Sequence, residues 1–378
     1  MRASVRGGLG LGPCLARGLR PEPRPGGNAT GEKSVKVGVS YFGVRHVRHV
    51  AEDLDRIADA GCTFVVHTFS ENDLLYYRGT IDRIVELSHK RGLDVYLDPW
   101  GVGRVFGGEA FSSFLAEHPE DRQVTSDGTP VPHVCLGSTR FRDMLFSWIS
   151  AAASAGAESV FWDEPHLYSV QKRGGPWACS CERCERRFAE RFGHPMPRAL
   201  TPEVEQFRVD SLTEFVDALA MEARSQGLGN AICLLPVDMG TESREEIEWP
   251  QQGLWERIAA LGSIDLFGTD PYWFHFCRDM EPFVGEWAGR VRDLCVRHGK
   301  ESQIWVQAFR VPRGRESEVR DAAFLASEMG IESLAAWGYE GCAAMSSLAC
   351  DRPEVVWQIL CETFRELRDG AESARDTR

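Results

Sequence analysis

The chain has 378 residues and a formal net charge of −13, with 43 Lys and Arg against 56 Asp and Glu. This acidic balance argues against a phosphate-binding surface of clustered bases, so we expect no nucleic-acid partner. No apolar run reaches the roughly 18 residues that a membrane span requires, so we expect no membrane insertion.

Residues 1–33 differ in composition from the rest of the chain. Glycine and proline are crowded there, with arginines scattered between them. Glycines also break the apolar stretch, which therefore lacks the continuous core of a signal peptide. We predict a disordered N-terminal extension over 1–33 and one domain over 34–372. Because the twelve cysteines are mostly scattered, we also expect a reducing, cytoplasmic location.

From Lys36 onward, short β-branched or aromatic runs alternate with amphipathic segments. The runs predict eight strands, at 37–42, 63–68, 94–98, 159–163, 231–235, 264–269, 303–307 and 333–337. The other segments predict helices near 48–60, 79–91, 140–155, 202–226, 253–261, 282–298, 316–329 and 353–369. Glycine, which ends helices in a left-handed conformation, precedes seven of the strands, as Gly61, Gly92, Gly156, Gly227, Gly262, Gly299 and Gly330.

Alternation of strands and helices predicts a parallel sheet, and eight such units close a barrel. We therefore predict an α/β fold, a (β/α)₈ TIM barrel with long insertions after the third and fourth strands. An open doubly wound sheet is the alternative.

Acidic residues follow several predicted strands, where the active site of such a barrel lies. Asp163 and Glu164 end an apolar strand, Asp270 follows the sixth strand, and Glu340 follows the eighth. We take these four as catalytic candidates. A capping or arginine-pairing role is the structural alternative, and Asp270 before Pro271 also fits a turn.

Polar and aromatic side chains accompany these acids at the strand ends. Carboxylates flanked by rings suit cleavage of a glycosidic bond, in which one carboxylic acid protonates the leaving oxygen and one carboxylate attacks or activates water. We therefore expect a carbohydrate partner. The substrate-binding candidates are Tyr41, His67, Asp98, Trp100, His166, Tyr272, Gln307, Arg310 and Trp337.

Three cysteines, Cys179, Cys181 and Cys184, fall within six residues. Tight CxC and CxxC spacings deliver thiolates to one zinc ion, which takes four tetrahedral ligands. Cys135, in the other long insertion, is the expected fourth ligand, and His166 or His194 are the alternatives. With four thiolates the zinc would have no open position and would be structural. The predicted zinc-binding loop insertion covers about residues 166–200. Reduced cysteines without a metal are the other interpretation.

The stretch from Cys135 to Arg142, the Asp163–Glu164 pair and the CSCERC motif together resemble the glycoside hydrolase family forty-two β-galactosidases of clan A. The resemblance is local, over about residues 130–195. It implies a structural zinc on the four cysteines and a general acid/base role for Glu164. Asp163 stands where the family has Asn. The family's nucleophile is a glutamate ending strand 7, whereas this strand ends in Gln307, so the resemblance does not carry over the retaining mechanism.

Two catalytic arrangements follow. In the first, Glu164 is the proton donor and its partner is Asp270, Glu340, Asp98 or Asp163. In the second, Asp163 is the nucleophile and Asp270 the acid, as in barrels that resemble α-galactosidases. The competing hypothesis is a non-catalytic carbohydrate-binding barrel that has lost the acid of strand 7.

Overall fold

A computed structural model describes residues 35–168, 175–236 and 253–376. The predicted N-terminal extension, 1–33, lies outside these residues. The strands are β1 Lys36–Tyr41, β2 Phe64–Thr68, β3 Asp94–Asp98, β4 Arg122–Val124, β5 Pro130–Val134, β6 Ser159–Asp163, β7 Gly229–Cys233, β8 Leu266–Thr269, β9 Glu301–Gln307 and β10 Ser333–Trp337. The helices are α1 Val47–Asp59, α2 Glu71–Tyr76, α3 Arg78–His89, α4 Phe114–Glu117, α5 Thr139–Ala155, α6 Glu182–Phe192, α7 Pro202–Ser225, α8 Leu254–Ala259, α9 Met280–His298, α10 Ser317–Glu328 and α11 Pro353–Asp376.

Eight parallel strands form a closed barrel in the order β1-β2-β3-β6-β7-β8-β9-β10. Closure comes from β1 pairing with β10, where Lys36 lies opposite Ser333 and Val39 opposite Ala336. The predicted (β/α)₈ barrel is therefore confirmed, and the alternative of an open sheet is wrong. No helix in the described ranges is long and apolar enough to cross a membrane.

Side chains alternate between the two faces of each barrel strand, because successive residues of a strand point in opposite directions. The inner face carries a compact cluster that includes Phe64, Phe161 and Trp305. The outer face packs against the helices in a much larger core, which includes Val65 and Trp162. This alternation decides which strand-end residues reach the mouth of the barrel.

The two long insertions have structure that the sequence did not predict. After β3, the chain forms α4 and the antiparallel hairpin β4–β5 before reaching α5. The hairpin also contacts the second insertion. Thr125 of the hairpin forms a β-bridge with Ala178, and the Ser180 amide donates to the Val124 carbonyl at 2.7 Å. Backbone hydrogen bonds therefore join the two insertions.

Six of the seven predicted helix-ending glycines take positive φ values, between 63° and 91°. Gly262 does not, so this prediction is wrong at that position. Helix α8 ends at Ala259, and the Ile264 amide then donates to the Leu261 carbonyl at 3.3 Å. Gly262 lies inside that turn, which reverses the chain without a left-handed residue.

Candidate active site

Four carboxyl groups converge at the carboxyl ends of three strands: β3 carries Asp98, β6 carries Asp163 and then Glu164, and Asp270 follows β8. Asp98, Asp163 and Asp270 fall on inner-face positions, two residues beyond Tyr96, Phe161 and Gly268. Charge interactions connect all four groups. The structure thus brings together three of the four catalytic candidates, with the substrate-binding candidate Asp98.

Burial and mutual repulsion raise the pKa values of three of these carboxyls. Burial is the largest cause for Asp98, Asp163 and Asp270, and neighbouring carboxylates add to it. Asp98 and Asp270 are almost fully buried, whereas Asp163 is partly exposed. Among the described residues, Asp98 Oδ1 and Asp270 Oδ1 have no hydrogen-bond partner. The cluster therefore retains protons well above the pH at which isolated carboxyls lose them.

Glu164 has an unusual backbone conformation, with φ at +40°. Its amide donates to the Cys233 carbonyl at 3.0 Å, which holds the turn against β7. A side-chain hydrogen bond joins it to Asp270. Left-handed non-glycine residues cost about 1–3 kcal/mol and concentrate at functional sites. The turn points a second acid into the mouth directly after Asp163.

An aromatic wall borders the carboxyl cluster. The rings of Phe42 and Trp337 stack with centroids 5.0 Å apart and an interplanar angle of 13°, and Trp100 lies 6.0 Å from Phe42. Tyr272 meets Phe309 edge to face at 5.0 Å. Trp100, Tyr272 and Trp337 are partly exposed. Three predicted substrate-binding residues therefore lie together, whereas Phe42 and Phe309 did not stand out in the sequence.

Three further candidates contribute backbone contacts near the mouth. The Gln307 side chain accepts from the Phe274 amide at 2.9 Å and donates to the Phe309 carbonyl at 3.0 Å, so it fixes the loop after β8. His166 Nδ1 lies 2.7 Å from the Glu164 carbonyl. The exposed Arg310 donates through Nε to the Ser347 carbonyl at 2.8 Å.

The structure places Tyr41, His67 and Glu340 away from the cluster. The Tyr41 hydroxyl donates to Asp53 of α1 at 2.6 Å, and His67 Nε2 lies 2.9 Å from the Ser88 hydroxyl of α3. Burial lowers the pKa of His67 to about 3. Glu340 pairs with Arg56 of α1 at 2.5 Å. These three predicted site residues face the helix layer.

Glu109 was not selected from the sequence, yet its charge acts on Asp98, Asp163 and Glu164. It follows Gly107 and Gly108 in the insertion after β3. The signal available in the sequence was this glycine pair, which marks a close approach of backbone to other groups.

The four cysteines predicted as metal ligands form one cluster, with all sulfur atoms within 4.8 Å of one another. Cys135 Sγ lies 3.6 Å from Cys184 Sγ and 3.5 Å from Cys181 Sγ. Disulfides have sulfur separations near ~2.05 Å, so these are not bonded pairs. Four sulfurs around one zinc lie about 3.8 Å apart, given Zn–S bonds of about 2.3 Å. The donor set and spacing fit a tetrahedral metal ion, and Cys135 is the fourth member.

The cluster joins the two long insertions. Cys135 follows β5, Cys179 follows the bridge to Thr125, and Cys184 lies in the first turn of α6. Cys135, Cys179 and Cys184 are buried, and Cys181 is half-buried. With four protein ligands, such a metal has no open position for substrate or water.

No protein-family model and no curated protein sequence matches the chain. Solved structures match its fold. The β-galactosidase from Bacillus circulans sp. alkalophilus superposes with a TM-score of 0.65 at 14% identity, covering 91% of this chain and 57% of that one. The β-galactosidase from the psychrophilic Marinomonas ef1 gives 0.64 at 14% identity, covering 90% and 61%. The endo-β-1,4-mannanase from Thermotoga petrophila gives 0.56 at 12% identity, covering 90% and 78%.

The chain thus has the barrel fold found in these glycosidases. It spans about three fifths of the length of the two β-galactosidases.

Proposed function

We propose that the chain is a glycoside hydrolase that cleaves its substrate at the mouth of the barrel. The observation that carries this proposal is the convergence of Asp98, Asp163, Glu164 and Asp270 beside an aromatic wall. Glycosidic cleavage requires a proton donor and a second carboxylate within one cleft. The fold similarity to β-galactosidases and mannanases supports the same reaction class.

Glu164 is the proposed proton donor. It is partly exposed to the cleft, whereas its hydrogen-bonded neighbour Asp270 is buried. The raised pKa of Asp270 favours its protonated form, and the hydrogen bond that it shares with Glu164 lets Glu164 pass a proton to the leaving oxygen. The adjacent Asp163, which is partly exposed and whose pKa is also raised, then donates a hydrogen bond to a sugar hydroxyl.

The aromatic wall is the proposed platform for a sugar ring. Trp337, Tyr272 and Trp100 present partly exposed ring surface beside the carboxyls, and Phe42 supports Trp337 from behind by stacking. A pyranose places its axial C–H groups against such a face while its hydroxyls reach the polar groups. The wall would therefore orient the scissile bond toward Glu164.

The proposal retains a distant relationship to family forty-two, supported by the position of Glu164 and the four-cysteine set. It does not retain that family's nucleophile. Gln307 occupies the end of the equivalent strand, and both ends of its amide are engaged with backbone groups. The attack on C1 must therefore depend on a different group.

We also propose that the metal on Cys135, Cys179, Cys181 and Cys184 is zinc, because four thiolates in tetrahedral spacing are its preferred structural donor set. When bound, the ion would supply cross-linking only, holding the insertion after β3 against the one after β6. Protein purified without chelator should contain about one equivalent of zinc by elemental analysis. Less than about a tenth of an equivalent, with all four thiols open to alkylation, would contradict this proposal.

The hydrolase proposal is tested with a panel of aryl α- and β-glycosides that differ in sugar and in leaving group. Wild-type protein should hydrolyse at least one sugar. Glu164→Gln should lower kcat by about 10²–10⁴-fold for phenyl leaving groups and much less for dinitrophenyl groups, which leave without protonation. Glu340→Gln is the matched control and should keep full activity, since Glu340 pairs with Arg56 on α1.

The second candidate function is a non-catalytic carbohydrate-binding barrel, and the engagement of Gln307 is the observation that favours it. This candidate predicts calorimetric binding of a sugar with no turnover across the panel, unchanged in Glu164→Gln. Turnover that depends on Glu164 contradicts it.

A further inference from the structure

We propose that Glu109 is the second catalytic carboxylate, acting as a general base on the water that attacks the sugar opposite Glu164. This inference rests on the proposed hydrolase function and deepens it. Because β9 ends without an acid, the attack on C1 has no assigned residue, and this inference assigns one. Four observations carry it: the anchoring of the loop, its contact with Asp163, the position of the charge, and solvent access.

Glu71 anchors the loop that carries Glu109. This carboxylate is buried at the start of α2 and accepts four hydrogen bonds from the segment 103–114. The donors are the Gly103 amide at 2.8 Å, the Ser112 hydroxyl at 2.7 Å, the Ser113 hydroxyl at 3.0 Å and the Phe114 amide at 2.8 Å. Such a set of bonds to one buried carboxylate fixes the loop on both sides of Glu109.

The backbone before Glu109 lies directly on the carboxyl cluster. The Gly107 amide donates to the Asp163 carbonyl at 2.9 Å, and the Gly107 carbonyl accepts from the Gly101 amide at 2.6 Å. A Cβ atom at Gly107 would lie 2.2 Å from Asp163 Oδ2, so only glycine permits this approach. Glu109 is therefore held two residues from a backbone contact with Asp163.

The charge of Glu109 interacts electrostatically with several groups of the cleft. It interacts with Glu164, Asp98 and Asp163, and in the other direction with Cys342 in the loop after β10. Arg104 provides a compensating positive charge, and its guanidinium also donates to the Gly108 carbonyl at 3.3 Å. Glu109 thus belongs to the loop after β3 at a place where its charge reaches the ends of β3 and β6 and the loop after β10.

Glu109 is the most exposed of the carboxyl groups that interact at the mouth. Glu109 is exposed, whereas Asp163 and Glu164 are partly exposed and Asp98 and Asp270 are buried. The pKa of Glu109 is raised, with burial of part of the side chain as the first cause and Glu164 as a further one, while Arg104 opposes the shift. A raised pKa makes the ionised carboxylate a stronger base at the pH of the reaction.

The step balances as an inverting hydrolysis. Glu164 gives its proton to the glycosidic oxygen as the bond from that oxygen to C1 breaks, and the alcohol leaves. The oxygen of one water bonds to C1 from the opposite face, and Glu109 takes the proton that this water releases. Exchange of both carboxyls with solvent restores the starting protonation.

The test uses Glu109→Gln and Glu109→Ala in the full chain, with Glu117→Gln as control because Glu117 is an exposed glutamate in the same insertion. The substrates are the nitrophenyl and phenyl glycosides that wild-type protein hydrolyses. Glu109→Gln should lower kcat by about 10²–10⁴-fold for both leaving groups, with KM little changed, and should remove the acidic limb of the pH profile. Glu117→Gln should match wild type.

Product analysis sharpens the assignment. Proton NMR of the first-formed sugar should show the anomer opposite to the substrate. Azide, which needs no base, should restore turnover of Glu109→Ala and give a glycosyl azide of inverted configuration. Full activity in Glu109→Gln beside an active wild type, or a product with retained configuration, overturns this inference alone. An inactive wild type instead overturns the proposed function.

Discussion

The carboxyl cluster at the barrel mouth and the cysteine cluster in the insertions each contain four acidic groups. The negative charge of the two clusters is offset in different ways. The charges that shift the pKa values of Asp98 and Asp163 come from other carboxylates, so protonation is what offsets the negative charge there. Around the cysteines, Arg183 hydrogen-bonds Cys135 and pairs with Asp121 at 2.7 Å, and the buried Arg208 acts electrostatically on Cys179.

This difference is the one expected between the proposed reactive site and the proposed structural site. In the proposed zinc site each thiolate would have the ion as a fixed partner, and Arg183 and Arg208 would offset part of the remaining negative charge. Burial and neighbouring carboxylates raise the pKa values of Asp98, Asp163 and Asp270, so these carboxyls hold their protons to higher pH than isolated ones do.

Cys181→Ser should have the largest effect on stability. It removes one of the four proposed metal ligands, and structural zinc contributes its binding free energy to folding, so we expect a loss of about 3 kcal/mol or more. Metal content and thermal unfolding should fall together. Cys361→Ser, at another half-buried cysteine, is the control and should keep the metal. Full metal content in Cys181→Ser would remove Cys181 from the ligand set.

Asp270→Asn should change how stability depends on pH. The folded-state pKa of Asp270 is raised above its unfolded value of 3.8, so its contribution to stability is fully present below that value and is lost as pH rises through the folded pKa. Asn cannot ionise. The free energy of unfolding of the variant should therefore rise relative to that of wild type as pH increases, by about 1.4 kcal/mol per unit of pKa shift.

Thermal unfolding of Asp270→Asn and wild type at about pH 5 and about pH 8 measures this change. Asp82→Asn, at an exposed aspartate of α3, provides the baseline. A stability difference between Asp270→Asn and wild type that stays constant with pH would show that Asp270 is ionised in the folded protein.

Tyr41→Phe should have the smallest effect. It removes the hydroxyl that donates to Asp53, while Tyr339 still donates to the same carboxylate at 2.9 Å. We expect a loss of about 1 kcal/mol in the free energy of unfolding, and unchanged kcat and KM. Denaturant unfolding and kinetics on the same preparation check both. A changed KM would return Tyr41 to the substrate-binding residues.

The alternation of strands and helices was sufficient to predict the closed barrel, because each unit has its own apolar period and most helices end at a glycine stop signal. The CxCxxC spacing likewise predicted three metal ligands, since its residues are near neighbours in the chain. The acids at Asp163, Glu164 and Asp270 could be chosen because the carboxyl ends of parallel strands meet at one edge. Strict counting of inner and outer positions would also have set aside Tyr41 and His67, which share the parity of the helix-facing residues.

Only the tertiary structure decided the rest. Glu340 turns toward α1 through a left-handed backbone at Glu340 and Gly341, and no strand pattern predicts such a turn. Glu109 reaches the mouth because Glu71, more than thirty residues away in sequence, anchors its loop. The pKa shifts of Asp98 and Asp270 depend on burial and on carboxylates from other strands. Long-range contacts set these properties, because water exclusion and charge proximity arise only when distant segments pack together.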